Sequence, residues 1–102
     1  MGTFDYMAPE QFQDTHNVDH RADIYSLGCT LYVLLTGNLP YPVKSPMKKL
    51  LAHRDAPIPP LAEARSDVAP TLDMIYQRML AKRPEDRQQS MQDVATALQG
   101  CC

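Results

Sequence analysis

A chain of 102 residues is long enough for one domain with a small core, and its hydrophobic fraction of 44% is ordinary for a folded globular protein. The formal net charge of −2 argues against a nucleic-acid-binding protein, which normally carries a basic face, and it gives no attraction to anionic membranes. The longest strongly apolar stretch, residues 24–35, is too short to cross a bilayer as a helix.

Helical patterns dominate the first half of the chain. Pro9 to Gln13 predicts a short helix, because proline is tolerated in the first turn, where its missing N–H is not needed. Residues 22–36 are apolar on nearly every helical face, and a helix of this kind is expected in the middle of a fold. Gly37 and the prolines at positions 40 and 42 predict its end. One stripe of this helix consists of Ile24, Leu27, Leu31, Leu34 and Leu35.

Three further helices are predicted after residue 45. Ser45 and Pro46 are typical of a helix start, whereas residues 56–60 are broken by prolines and should be extended. Ser90 predicts the start of the last helix, which Gly100 closes. No stretch alternates well enough to predict a strand, so the fold class is all-α. The second of the three helices has an apolar face formed by Leu72, Ile75, Tyr76, Met79 and Leu80.

The cysteines do not indicate a disulfide framework. Their number is odd, no signal peptide precedes them, and Cys29 lies within an apolar run, where it is best interpreted as a small buried side chain. We therefore expect a reducing, cytoplasmic location. The three histidines do not have metal-ligand spacing with the cysteines, so no metal site is predicted.

Three separated segments follow one another in an informative order. Residues 2–10 read Gly-Thr-Phe-Asp-Tyr-Met-Ala-Pro-Glu, residues 23–28 read Asp-Ile-Tyr-Ser-Leu-Gly, and residues 83–87 read Arg-Pro-Glu-Asp-Arg. The first resembles the end of a protein-kinase activation segment with its A-P-E signature. The second resembles the start of the central helix of the kinase large lobe, and the third its P-x-x-R turn. Together they resemble bacterial Ser/Thr protein kinases from residue 2 to about residue 98.

This resemblance implies a fold and a domain arrangement. Residues 1–98 should form a partial kinase domain equivalent to the lower half of the large lobe, with one central buried helix and three or four helices packed around it. Residues 99–102 are expected to be a C-terminal tail. Because several neighbours of the central helix are then missing, an exposed apolar patch is expected.

Four residues match structural positions of the family. Glu10 matches the A-P-E glutamate, which in the family pairs with the arginine of P-x-x-R, here Arg87; a partly buried carboxylate needs such a bidentate partner. Asp23 matches an aspartate that positions the catalytic loop, although it is also an ordinary acidic residue at a helix N-terminus. Gly28 matches the glycine of the central helix.

Three residues of the opening segment match the family's substrate-binding loop. Thr3 matches a threonine that favours Ser/Thr over Tyr specificity. Phe4 and Met7 match positions that line the pocket for the substrate residue just after the phosphoacceptor. The alternative, that Phe4 and Met7 only pack the segment onto the lobe, remains equally open at this point.

No catalytic, cofactor-binding or metal-binding residue is predicted. The four glycines cannot form G-x-G-x-x-G, and neither V-A-I-K nor D-F-G is present. The sequence His20-Arg21-Ala22-Asp23 differs from the catalytic H-R-D by an inserted alanine, so Asp23 is not predicted to be a general base. The lysines are expected to be solvated helix or turn charges: Lys44, Lys48, Lys49 and Lys82.

These observations predict a fragment of a Ser/Thr protein kinase that is inactive alone. ATP and magnesium are implied only for the intact kinase, and the expected partners are a protein or peptide substrate and the missing N-terminal half of the kinase. The alternatives are a small helical interaction module, docking through the substrate loop and residues 45–53, or the second half of a split kinase. Neither a nucleic-acid partner nor a membrane segment is predicted.

Overall fold

The computed structural model describes residues 3–13 and 15–101, except for the side chains of residues 3 and 15. Within these residues the secondary structure is helical and no strand occurs, which confirms the predicted all-α class. Three short 3₁₀ helices cover Thr3–Tyr6, Thr15–Asn17 and Pro84–Asp86. The α-helices are α1 (Glu10–Gln13), α2 (Arg21–Thr36), α3 (Pro46–Asp55), α4 (Leu61–Ala64), α5 (Pro70–Met79) and α6 (Met91–Gly100). No helix of the described part is long and apolar enough to cross a membrane.

The predicted caps at Ser45, Ser90 and Gly37 are present, whereas Gly100 is the last residue of α6 and Cys101 takes the C-cap position. Ser45 Oγ accepts a hydrogen bond from the Lys48 N–H at 3.4 Å, and Ser90 Oγ accepts one from the Asp93 N–H at 3.0 Å. Gly37 ends α2 in the left-handed conformation, with φ of 75°, and its N–H donates to the Val33 carbonyl at 2.8 Å. Because only glycine adopts this conformation at little cost, α2 stops where the sequence predicts.

Helix α4 is not predicted by the sequence, and a long-range contact explains it. Its first residues, Leu61 and Ala62, donate their backbone N–H groups to the Asp73 carboxylate at 2.9 and 3.3 Å. Asp73 belongs to α5, so the cap comes from a residue twelve positions away. A cap supplied from another helix leaves no local signal in the sequence.

Helix α2 has one face in the core and one face open. Tyr25, Cys29 and Tyr32 are buried against α5 and its neighbours, and the burial of Cys29 confirms its prediction. On the opposite face Leu34 is 75% exposed and Leu27 is also exposed. Leu27 and Leu34 of the predicted stripe therefore lie outside the core, whereas Ile24 is buried and Leu31 and Leu35 pack against the core.

Gly28 of α2 lies in close contact with the C-terminal end of α5. A Cβ atom on Gly28 would collide with the Leu80 side chain and lie 3.0 Å from Met79 Cβ. A side chain at this position would therefore require Leu80 to move. The glycine that the resemblance singled out therefore lies at the contact between the central helix and α5.

Candidate functional site

The opening segment, residues 3–13, consists of the first 3₁₀ helix followed by α1, and its 3₁₀ helix contacts α2 and α3. Within it the Phe4 side chain is 36% exposed and the Met7 side chain is half-buried. Both side chains are thus partly accessible to a ligand. The side chain of Thr3, which we expected to favour Ser/Thr specificity, lies outside the described part of the structure.

One end of the segment is fixed by a buried ion pair. Arg87 Nη1 donates to Glu10 Oε2 at 2.6 Å, and Arg87 Nη2 donates to Glu10 Oε1 at 2.8 Å. Arg87 is fully buried, and its remaining N–H groups donate to backbone carbonyls, including that of Ala81 at 2.8 Å and that of Arg21 at 3.0 Å. The guanidinium also lies 4.9 Å from the centroid of the Tyr25 ring. A buried charge is tolerated only when it is paired and its N–H groups are hydrogen-bonded, as those of Arg87 are.

The middle of the segment is fixed from two helices. Ser26 of α2 donates its hydroxyl hydrogen to the Tyr6 carbonyl at 2.6 Å. Lys49 of α3 donates to Asp5 Oδ1 at 2.6 Å, with the Asp5 side chain 1% exposed and the Lys49 side chain 17% exposed. The segment is therefore held by α2 and α3 as well as by Arg87.

Asp23 occupies a different environment from Glu10. It lies exposed in the first turn of α2, and no hydrogen bond to its carboxylate is found among the described residues. It shares the open face of α2 with Leu27, Thr30 and Leu34, since spacings of four and three residues bring side chains to one side of a helix. The structure does not bring Asp23 into the same cluster as Glu10 and Arg87.

Two of the four lysines are not the solvated charges that we expected. Lys44 and Lys48 are exposed, but Lys49 is paired with Asp5. Lys82 is half-buried and donates to the Tyr41 hydroxyl at 2.9 Å and the Ala52 carbonyl at 3.2 Å. Its partial burial lowers the pKa of Lys82 to about 8. The prediction was wrong for these two residues because their partners lie 44 and 30–41 positions away in the sequence.

A buried polar cluster beneath the segment was missed by sequence reasoning. A hydrogen bond of 2.6 Å joins the Tyr25 hydroxyl to His53 Nδ1, and the Tyr41 ring meets the His53 ring edge-on at 5.1 Å. Burial, together with the positive charge of Lys82, lowers the pKa of His53 to about 4, while the backbone of Phe4 and Asp5 opposes this shift. His53 is therefore neutral at physiological pH and links α3 to α2.

The surroundings of Glu10 form a polar groove of about 480 Å³. Its charges are largely matched within the groove, because Arg21 pairs with Asp19 at 3.0 Å and Arg83 pairs with Glu85 at 3.3 Å. In the described part of the chain no group of three or more His, Cys, Asp or Glu side chains could hold a metal ion.

Comparison with known proteins supports one family. The model of the protein kinase domain matches residues 1–98. The serine/threonine-protein kinase PknB of Mycolicibacterium smegmatis is 40% identical over 99 residues, covering 96% of this chain and 16% of that protein. Pkn1 of Myxococcus xanthus is 43% identical over 99 residues, covering 97% and 14%. PknH of Mycobacterium tuberculosis is 41% identical over 97 residues, covering 95% and 15%.

The chain thus spans 14–16% of the length of these curated relatives. All three of these relatives are bacterial serine/threonine-protein kinases by name. With residues 1–98 matched and the opening segment joined to the P-x-x-R arginine, the chain belongs to the protein kinase domain family.

Proposed function

We propose that this chain is the helical base of a Ser/Thr protein kinase and carries the segment that receives the protein substrate. The observation that carries the proposal is the bidentate contact between Glu10 and Arg87, which fixes that segment on a helical base matching the kinase family. Residues 1–98 would be the partial kinase domain, and residues 99–102 its tail. Phosphoryl transfer then requires an ATP-binding part outside these 102 residues.

The open face of α2 supports the need for a further part. Leu27 and Leu34 are exposed there, and exposed apolar side chains in a row are typical of a surface that another polypeptide covers. Asp23 on the same face is free to accept hydrogen bonds from a backbone loop, as the family resemblance implies. ATP and magnesium would be held by that other part, which would supply the charge neutralisation that phosphoryl transfer needs.

Phe4 and Met7 are the proposed substrate-contacting residues. Both are apolar, and the partly exposed Phe4 ring can contact an apolar side chain of a peptide. We therefore propose that the intact enzyme favours an apolar residue directly after the phosphorylated serine or threonine. Thr3 is the proposed determinant of the Ser/Thr preference.

A second candidate function is that of a helical interaction module. Met47 and Leu51 are exposed and lie four residues apart, hence on one face of α3. Two exposed apolar side chains on one helix face are suited to docking a partner protein. This function needs no ATP site, so it would be retained by the chain alone.

A chimeric enzyme tests the first proposal. The part of the Mycolicibacterium smegmatis kinase that precedes the matched region is joined in frame to residue 2 of this chain, and phosphate incorporation from radiolabelled ATP into peptide libraries is measured. We expect phosphoserine and phosphothreonine, with apolar residues enriched at the following position. Asp23→Asn should reduce the rate by more than tenfold, whereas Asp93→Asn, at an equally exposed helix start, should not. A folded, ATP-binding chimera without phosphotransfer would refute the proposal.

A further inference from the structure

The first 3₁₀ helix, Thr3–Tyr6, lies between two helices that hold it from different sides. On the α2 side, the Ser26 hydroxyl donates to the Tyr6 carbonyl. On the α3 side, the Lys49 ammonium donates to the Asp5 carboxylate. The first contact uses a neutral donor, whereas the second joins two opposite charges in a largely buried setting, where such a bond is stronger.

Contacts with α2 and with the segment fix the position of helix α3 beneath the segment. Lys49 and His53 are four residues apart and therefore lie on the same side of α3. His53 is hydrogen-bonded to Tyr25 of α2 and lies against the backbone of Phe4 and Asp5. The position of the Lys49 ammonium relative to Asp5 is thus set by packing and does not depend on a flexible surface side chain.

The Lys49–Asp5 pair lies beside the residues that are proposed to contact the substrate. Asp5 lies next to Phe4, whose ring is partly exposed, and two residues before Met7. Fixing the Asp5 carboxylate fixes the backbone from which the Phe4 side chain projects. Lys48, one residue earlier on the same helix, is exposed and has no part in this arrangement.

We propose that Lys49 is a positioning residue for the substrate segment: through its ion pair with Asp5 it holds the backbone of residues 4–7 in the one orientation that presents Phe4 and Met7 to a peptide. That the ligand is a peptide substrate rests on the proposed function. That Lys49 holds the segment in place does not depend on that function. Loss of the Lys49 charge should release the segment locally while α5 and α6 stay folded.

Hydrogen exchange on the chain itself tests the positional claim. In Lys49→Met the backbone amides of residues 5–8 should exchange at least about tenfold faster than in the unaltered chain, with protection in α5 and α6 unchanged, because one charge-assisted hydrogen bond is lost locally. Lys49→Arg should restore protection because it keeps the charge. Lys48→Met is the matched control and should change nothing. Unchanged exchange at residues 5–8, or an equal increase throughout α5 and α6, would overturn the proposal.

Peptide kinetics in the chimera test the link to the substrate. Lys49→Met should raise KM for the peptide about tenfold or more while KM for ATP stays the same, and Lys49→Arg should behave like the unaltered chimera. A peptide KM that does not move, despite faster exchange at residues 5–8, would contradict the positioning role. An inactive chimera would refute the proposed function instead, and the exchange experiment would still decide whether Lys49 holds the segment.

Discussion

The buried pair of Glu10 and Arg87 should be the most sensitive point of the fold. In Arg87→Met the apolar replacement has a similar length, but Glu10 loses its counter-ion and the carbonyls of Ala81 and Arg21 lose their donor. The Arg87 side chain is 0% exposed and that of Glu10 8%, so water cannot easily replace these contacts. Breaking a buried pair on one side costs about 3–5 kcal/mol.

That loss is large relative to the stability of a chain of this size. At roughly 0.05–0.15 kcal/mol per residue, a chain of 102 residues is stable by about 5–15 kcal/mol. A loss of about 3 kcal/mol should lower the melting temperature by more than about 10 °C. Thermal and urea unfolding followed by circular dichroism measure both quantities.

A matched pair and a double variant make the test specific. Arg83 and Glu85 also form an ion pair, at 3.3 Å, but their side chains are 75% and 60% exposed, so Arg83→Met should cost no more than about 0.5 kcal/mol. Removing both buried charges, in Glu10→Met with Arg87→Met, should recover part of the loss because no charge remains unpaired. Equal effects of Arg87→Met and Arg83→Met would refute this reasoning.

Two further predictions concern packing and pH. Gly28→Ala should destabilise the chain by about 1–3 kcal/mol in urea unfolding, because the new methyl group collides with Leu80. A methyl group at Gly100 meets no atom within 4 Å, so Gly100→Ala should be neutral or slightly stabilising. Equal effects of the two substitutions would contradict the close contact of Gly28 with the end of α5. The His53 pKa of about 4 lies below its ordinary value of 6.5, so the unfolded chain binds a proton that the folded chain does not. The free energy of unfolding should therefore be highest above about pH 7 and should be about 1 kcal/mol lower at pH 5.5. His16→Gln should keep this pH dependence, whereas His53→Gln should lose it.

Local signals were sufficient to predict the helices that begin with their own caps. Ser45 and Ser90 cap α3 and α6 with their own hydroxyl groups, and Gly37 ends α2 in the left-handed conformation. These contacts involve residues within four positions of each other, so they can be read directly from the sequence. The capping carboxylate of α4 comes from Asp73, and such a distant partner cannot be recognised by pattern alone.

The same distinction applies to the candidate site. The contact of Glu10 with Arg87 spans 77 positions and was suggested by the family resemblance of the motifs, since residue types alone would favour two separate surface charges. The partners of Lys49 and Lys82 carry no such motif, and both lysines were expected to be solvated. Which face of α2 lies inward was also undetermined, because nearly all of its faces are apolar and the buried one is chosen by aromatic packing.

The proposed function is tested by measuring phosphate transfer by the chain alone and by the chimera side by side. We expect no incorporation of radiolabelled phosphate into protein serine or threonine by the chain alone, because neither G-x-G-x-x-G, V-A-I-K nor D-F-G occurs in its sequence. We expect clear incorporation when the ATP-binding part of the relative is joined to the chain. Saturable ATP binding and phosphotransfer by these 102 residues alone, or no phosphotransfer by a folded chimera, would contradict the proposed function.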